Sequence, residues 1–342
     1  MATAPTVCFF ARTTDPSVLE RVDFYVQDLR ILRELGCDVR VATRVRELAP
    51  ADLYFVWWWT WAVFPVTLAR ALRRPVVVTG VWDVWAYAPR PALHRAMMRR
   101  ALRSADANVF VSEMELADVG LALGAARPSY TPLCVDTAAL APAAGPREDF
   151  LLTVAGSGMA GGNSARKCIP ELIRAMAILR AARPDVRLVI AGRKGEDYPH
   201  LARLAEEVGV ADAIEFPGVI SVADKVSLMQ RCRLYLQPTH FEGFGLSILE
   251  AMSCGAAVVT NAAGAVPEVG GDAVCYADTP TPESIAAATL ALLDEPARIA
   301  ALQARARARA VERFDIGRRK RELGALIQEL LPAAAEFRAA PA

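Results

Sequence analysis

Short apolar runs alternate with amphipathic stretches along this whole chain, and that alternation limits the fold more than any other feature. The runs predict strands at Thr6–Phe10, Asp38–Thr43, Leu53–Trp57, Pro75–Gly80, Ala107–Val111 and Ser129–Leu133. A second set follows at Phe150–Ala155, Val186–Ala191, Ile214–Phe216, Leu234–Gln237, Ala257–Thr260 and Ala273–Cys275. Helical patterns lie between them, as at Val22–Leu35, Leu93–Ser104, Ile169–Arg183, Leu201–Val208 and Lys225–Cys232. Continuous Val/Ile/Leu strands separated by helices imply parallel sheets covered on both faces. The pattern restarts after Ala138–Arg147, which reads as a linker. A chain of 342 residues also exceeds what one core commonly supports. Two α/β domains are therefore expected, residues 1–145 and 146–342. In such sheets ligands bind beyond the carboxyl ends of the strands, and the natural site lies in the cleft between two facing domains.

Composition narrows the function classes. Hydrophobic residues make up 54% and charged residues 23%, which suits sizeable cores and excludes a disordered chain. Net charge is +1, so nothing points to nucleic acid. The seven cysteines are scattered without a CxxC pair, as expected of reduced thiols in a cytoplasmic protein. Thr6–Phe10 is too short and lacks the basic flank of a secretory leader. The uncharged stretch from Leu53 to Ala69 breaks at Pro65 and is rich in strand-forming aromatics. It reads as a buried strand entering a helix rather than a membrane span. Pro282–Leu331 reads as helical, and Arg305, Arg307, Arg309 and Arg313 within it read as solvated helix faces.

The chemistry concentrates in Phe241-Glu242-Gly243-Phe244-Gly245-Leu246-Ser247-Ile248-Leu249-Glu250-Ala251-Met252. A turn with two glycines lets backbone N–H groups approach a ligand. The helix that follows offers unpaired N–H groups and partial positive charge to an anion. Two carboxylates nearby are poor phosphate ligands but good acceptors for sugar hydroxyls. An anion cradle with hydroxyl acceptors is what a nucleotide-sugar requires. No Asp-x-Asp pair occurs, and His94, His200 and His240 show no ligand spacing, so neither a metal nor a resident cofactor is expected.

This segment resembles the retaining glycosyltransferases of the GT-B fold, family 4. Glu242 and Glu250 match the family's E-x7-E element, and the likeness continues through Ala251-Met252-Ser253-Cys254-Gly255 to Gly264-Ala265-Val266-Pro267-Glu268. A looser likeness covers Phe150–Phe314 and, more weakly, the earlier residues, with Ser112 and Cys134-Val135-Asp136 at family positions. The resemblance implies two Rossmann-like doubly wound domains, with a C-terminal helix crossing back. It also implies transfer of a sugar from an NDP-sugar with retained anomeric configuration.

Carried over residue by residue, Glu250 would accept the ribose hydroxyls and Glu242 would meet the donor sugar. The backbone of Gly243, Phe244 and Gly245 would contact the sugar, and the N–H groups of Leu246 and Ser247 would face the diphosphate. Lys167 fits the family's lysine. The family's arginine position holds Ser157, at the start of a glycine-rich insertion, and Arg166 is the candidate replacement. Arg193 and Val219 stand where the family meets the base. Cationic side chains would then stabilise the leaving diphosphate in place of a metal.

The first domain departs from the family. Its usual Gly-Gly loop is replaced by Glu20-Arg21-Val22-Asp23-Phe24-Tyr25, and its histidine by Val81, with Asp83 nearby. Trp57, Trp58, Trp59, Trp61, Trp82 and Trp85 cluster at the ends of two predicted strands. Alternation in a strand assigns about half of them to core and half to an acceptor pocket for a glycan, lipid-linked or small apolar acceptor. Arg70, Arg73, Arg74, Arg95, Arg99, Arg100 and Arg103 are compatible with peripheral contact at the inner membrane face, with a solvated surface the default. Two other readings stay open: an NDP-sugar-binding partner subunit with little activity, and a GT-B-fold NDP-sugar epimerase. Sparse histidines count against the epimerase.

Overall fold

The computed structural model describes residues 4–82, 87–155 and 163–331. By its internal contacts the chain forms two compact units, one of residues 1–133 with 316–342 and one of residues 134–315. Each carries the parallel α/β sheet expected from the alternation, in the Rossmann-like form that the resemblance implied.

The first unit carries a wholly parallel sheet of β1 (Thr6–Ala11), β2 (Asp38–Ala42), β3 (Leu53–Trp57), β4 (Val76–Gly80), β5 (Ala107–Phe110) and β6 (Pro128–Tyr130), in the order β2-β1-β3-β4-β5-β6. β3 and β4 are buried throughout, as strands covered on both faces must be. The helix Ile316–Leu330 groups with this unit. Its Arg319, fully buried, forks onto both oxygens of Asp28 at 2.7 and 2.9 Å and donates to the carbonyls of Thr131 and Pro132. Asp28 also accepts from the Trp57 indole at 3.0 Å. The buried charge thus has a full set of partners, which burial of an ion pair requires.

The same network shows which tryptophans form the core half of the expected division. Trp57 and Trp59 are 1% exposed and Trp82 2%, so these three are core. Trp59 gives its N–H to Asn108 at 2.8 Å and stacks on Phe110. Trp57 and Trp59 each contribute apolar area inside while the one polar atom of the ring finds a buried acceptor. Trp58 and Trp61 are half-buried. Trp85 and Asp83 lie outside the described residues.

The second unit holds β7 (Leu151–Val154), β8 (Leu188–Ala191), β9 (Ile214–Gly218), β10 (Leu234–Gln237), β11 (Val258–Asn261) and β12 (Cys275–Ala277), again all parallel, in the order β12-β11-β10-β7-β8-β9. Chain direction across the sheet reverses between β7 and β10. A doubly wound sheet opens a crevice at the carboxyl ends of two such strands. Two of the arginines expected to be solvated are fasteners. Arg307 donates to the carbonyls of Thr137, Leu140 and Ser253, and Arg309 to those of Glu268 and Val269. Their long stems let a charged head reach carbonyls in the last turns of two helices and in the segment around Thr137 and Leu140.

Candidate functional site

Of the residues singled out from the sequence, Arg166, Lys167, Glu242–Ser247 and Glu250 come together at the β7/β10 crevice. β10 ends in Gln237, and the chain then runs through Pro238–Gly245 into the helix Leu246–Ser253. Gly245 takes φ +102°, a backbone region that favours glycine, and caps that helix. The first N–H groups of a helix have no partner within it, so those of Leu246 and Ser247 open towards the crevice end. The loop itself is pinned. Thr239 receives a hydrogen bond at its carbonyl from Asn261 and donates its own N–H to the Asn261 side chain, at 2.9 and 2.8 Å.

Glu242, 8% exposed, lies at the centre. Gln237 donates to its Oε1 at 3.1 Å. Arg166 Nη1 is 3.3 Å from Oε2 and Lys167 Nζ is 3.6 Å from Oε1. Lys167 also donates to Ser247 Oγ at 3.3 Å, and Ser247 donates to Gln237 Oε1 at 2.7 Å. Tyr235 donates to that same Gln237 oxygen at 2.6 Å. Burial pushes the Lys167 ammonium below the usual lysine range, and Glu242 beside it partly opposes the shift. Arg166 is held further by the Phe241 carbonyl at 2.5 Å, while its own carbonyl accepts from the His240 N–H and the Thr239 hydroxyl. A carboxylate, two cations and a helix N-terminus are therefore fixed around one point. Such a set stabilises developing negative charge without reorganising.

Glu250 lies on the same helix, 5% exposed, and accepts from Lys225 Nζ at 2.7 Å. Gly243, Gly245 and Phe244 are buried, and the Phe244 ring meets Phe314 edge-on. Arg193 and Val219 lie at the ends of β8 and β9, both exposed, Val219 at 77%. Arg193 borders a shallow depression with Lys194, Tyr198 and Phe216. Lys194 stands 4.7 Å over the Tyr198 ring, and Phe216 packs edge-on to that ring. Ser157 and the rest of the glycine-rich insertion lie outside the described residues.

Four participants were not singled out from the sequence: Gln237, Tyr235, Lys225 and Asn261. A polar residue closing an apolar strand at its carboxyl end was the available signal for Gln237. Histidine spacing also hid one donor group. Cys168, Glu171 and His240 each place a ligand-type atom within 4.8 Å of the others. A thiol, carboxylate and imidazole are donors a zinc ion accepts.

Comparison with known proteins bears on the family and the fold. Residues 157–311 match the family profile described as glycosyl transferases group 1. The chain is 30% identical over 331 residues to a GDP-mannose-dependent alpha-(1-6)-phosphatidylinositol monomannoside mannosyltransferase of Mycolicibacterium smegmatis, with 88% of this chain and 82% of that relative covered. It is also 30% identical over 224 residues to the MMP alpha-(1->4)-mannosyltransferase of Mycolicibacterium hassiacum, covering 64% of this chain and 53% of that relative. In fold it is similar to sucrose-phosphate synthase from Thermosynechococcus elongatus, at TM-score 0.81 and 18% identity over 96% of this chain and all of that one. Anabaena HepE, solved with UDP-glucose, matches at TM-score 0.77 and 19% identity over 95% of this chain and all of that one.

Proposed function

We propose, for a chain that belongs to the glycosyl transferases group 1 family, transfer of a sugar from an NDP-sugar with retained anomeric configuration and without a metal ion. The observation that carries the reading is Glu242 gripped by Arg166 and Lys167 at the start of the helix that bears Glu250. In this reading Glu250 accepts both ribose hydroxyls, a task one ionised carboxylate can perform. The diphosphate takes the N–H groups of Leu246 and Ser247 with the Lys167 and Arg166 cations. The donor sugar lies along Gly243–Gly245 with a hydroxyl on Glu242. Arg193 and the Val219 backbone, at the ends of β8 and β9, flank the base.

The bond from the anomeric carbon to the diphosphate oxygen breaks while the acceptor oxygen joins the same face of that carbon. The acceptor proton passes to the departing diphosphate. No side chain needs to act as nucleophile, and the protein supplies position and charge. Mannosyltransferase names among the relatives make GDP-mannose the donor to try first.

The test is incubation with GDP-, UDP- and ADP-sugars and an acceptor panel, with EDTA present. Acceptor-dependent NDP release and an α-linked product from an α-linked donor support the reading. Donor binding without any turnover, or chemistry abolished by EDTA, contradicts it.

A further inference from the structure

We infer that the first unit carries a separate subsite for a phosphate group, and that the acceptor is a phosphate-bearing sugar or polyol. This rests on the glycosyl-transfer reading above for the word acceptor, but not for the subsite itself. An open groove of about 440 Å³ is lined by Arg12, Arg44, Val45, Arg46 and Trp61. That volume falls in the range of small-molecule sites. Its residues come from three neighbouring strands. Arg12 directly follows β1, Arg44 and Arg46 follow β2, and Trp61 follows β3. The groove thus sits beyond carboxyl ends where the sheet order β2-β1-β3 reverses direction, the crevice in which doubly wound sheets bind ligands.

Two of the three charges there have no acid to balance them among the described residues. The nearest acid, Glu47, spends Oε2 on the N–H and hydroxyl of Thr43 and the N–H of Arg44, and its other oxygen stands 3.9 Å from the Arg44 guanidinium. Among the described residues, Arg12 and Arg46 have no carboxylate within ion-pair distance. Arg12 is nonetheless held in place. Its guanidinium carbon lies 5.6 Å over the Trp61 ring, and Nη1 donates to the Thr13 carbonyl at 3.1 Å. Trp61 is itself braced by stacking on Phe64. A guanidinium pre-positioned in this way, with donors left over, suits two-pronged binding of a phosphate. A neutral glycan would leave the Arg12 and Arg46 charges on this groove without an anionic partner. Of the sugar-containing or apolar acceptors expected beside the tryptophans, a sugar-containing one fits the groove better.

The experiment titrates the full chain with hexose and cyclitol monophosphates, their unphosphorylated parents, and vesicles of phosphatidylinositol or of phosphatidylcholine. Monophosphates should bind at least tenfold tighter than their parents, and Arg12→Gln or Arg46→Gln should each weaken them about tenfold. Binding of GDP and UDP should stay unchanged in both variants. Response to soluble monophosphates assigns the phosphate to a free metabolite, and response confined to phosphatidylinositol vesicles assigns it to a lipid headgroup; either supports the subsite. Equal binding of parents and phosphates, or unaltered affinity in both arginine variants, overturns it. Intact phosphate binding in a protein that fails to bind any NDP would retire the donor reading and keep this one.

Discussion

The backbone of Gly264 abuts that of Glu242 so closely that a Cβ on Gly264 would stand 2.1 Å from the Glu242 carbonyl oxygen. The next residue, Ala265, donates its N–H to that same oxygen at 2.8 Å. Gly264 also takes φ +58°. A loop after β11 thereby sets the position of the carboxylate that the two cations grip. Gly264→Ala should cost about 2 kcal/mol or more through the clash and the left-handed backbone. Turnover should fall further than stability alone explains. A thermal melt beside steady-state kinetics checks this, and a variant of full activity would show that the loop does not position Glu242.

Lys167 makes a pH prediction with a definite sign. Its ammonium loses its proton more readily in the folded chain than an unperturbed lysine does at 10.5. Between those two values the unfolded chain binds more protons, so this group's contribution to stability rises with pH. Activity runs the other way, because the cation that meets the diphosphate disappears as pH climbs through the folded value. The pH profile of kcat should show an alkaline limb below 10.5 that Lys167→Arg moves upward, since arginine stays charged.

Glu250→Gln separates the ribose contact from the diphosphate contact. Loss of a charged acceptor for two hydroxyls should weaken GDP or UDP by about ten- to a hundredfold. Pyrophosphate, which has no ribose, should bind the variant as it binds the parent chain. Calorimetric titration of both ligands decides the matter, and equal weakening of both would place Glu250 in a general electrostatic role.

The Arg319–Asp28 pair fastens the last described helix to its unit. Asp28→Ala leaves a fully buried guanidinium without its carboxylate, at a cost of about 3–5 kcal/mol. Replacing both partners by apolar residues of similar volume should recover most of that loss, as measured by denaturant midpoint in the single and double variants.

Much of this architecture was legible because it is local. Twelve apolar runs predict twelve strands, since a strand buried on both faces has no polar alternation to hide it. Their ends shift by a residue or two, as with Val186–Ala191, where the strand begins at Leu188. Glu242 and Glu250 were legible for the same reason, lying within one turn-and-helix segment. The rest depends on contacts between distant residues. Gln237 meets Glu242 only because β10 and the following loop fold back on each other. Lys225 reaches Glu250 from another helix, and Arg319 finds Asp28 across 291 positions. Alternation divides the tryptophans between core and half-buried positions but cannot say which ring goes where, because among the described ones only Trp57 lies within a strand and the others follow it. Arg307 and Arg309 illustrate a similar limit, because the carbonyls they serve lie at least 40 positions away in sequence.

A crystal of the protein soaked with GDP-mannose or UDP-glucose tests the central claim most directly. The account predicts the ribose hydroxyls on Glu250, the diphosphate at the N-terminus of the helix Leu246–Ser253 beside Lys167 and Arg166, and a sugar hydroxyl on Glu242. Nucleotide density away from that crevice, or a diphosphate held by a metal ion in place of the two cations, would contradict it.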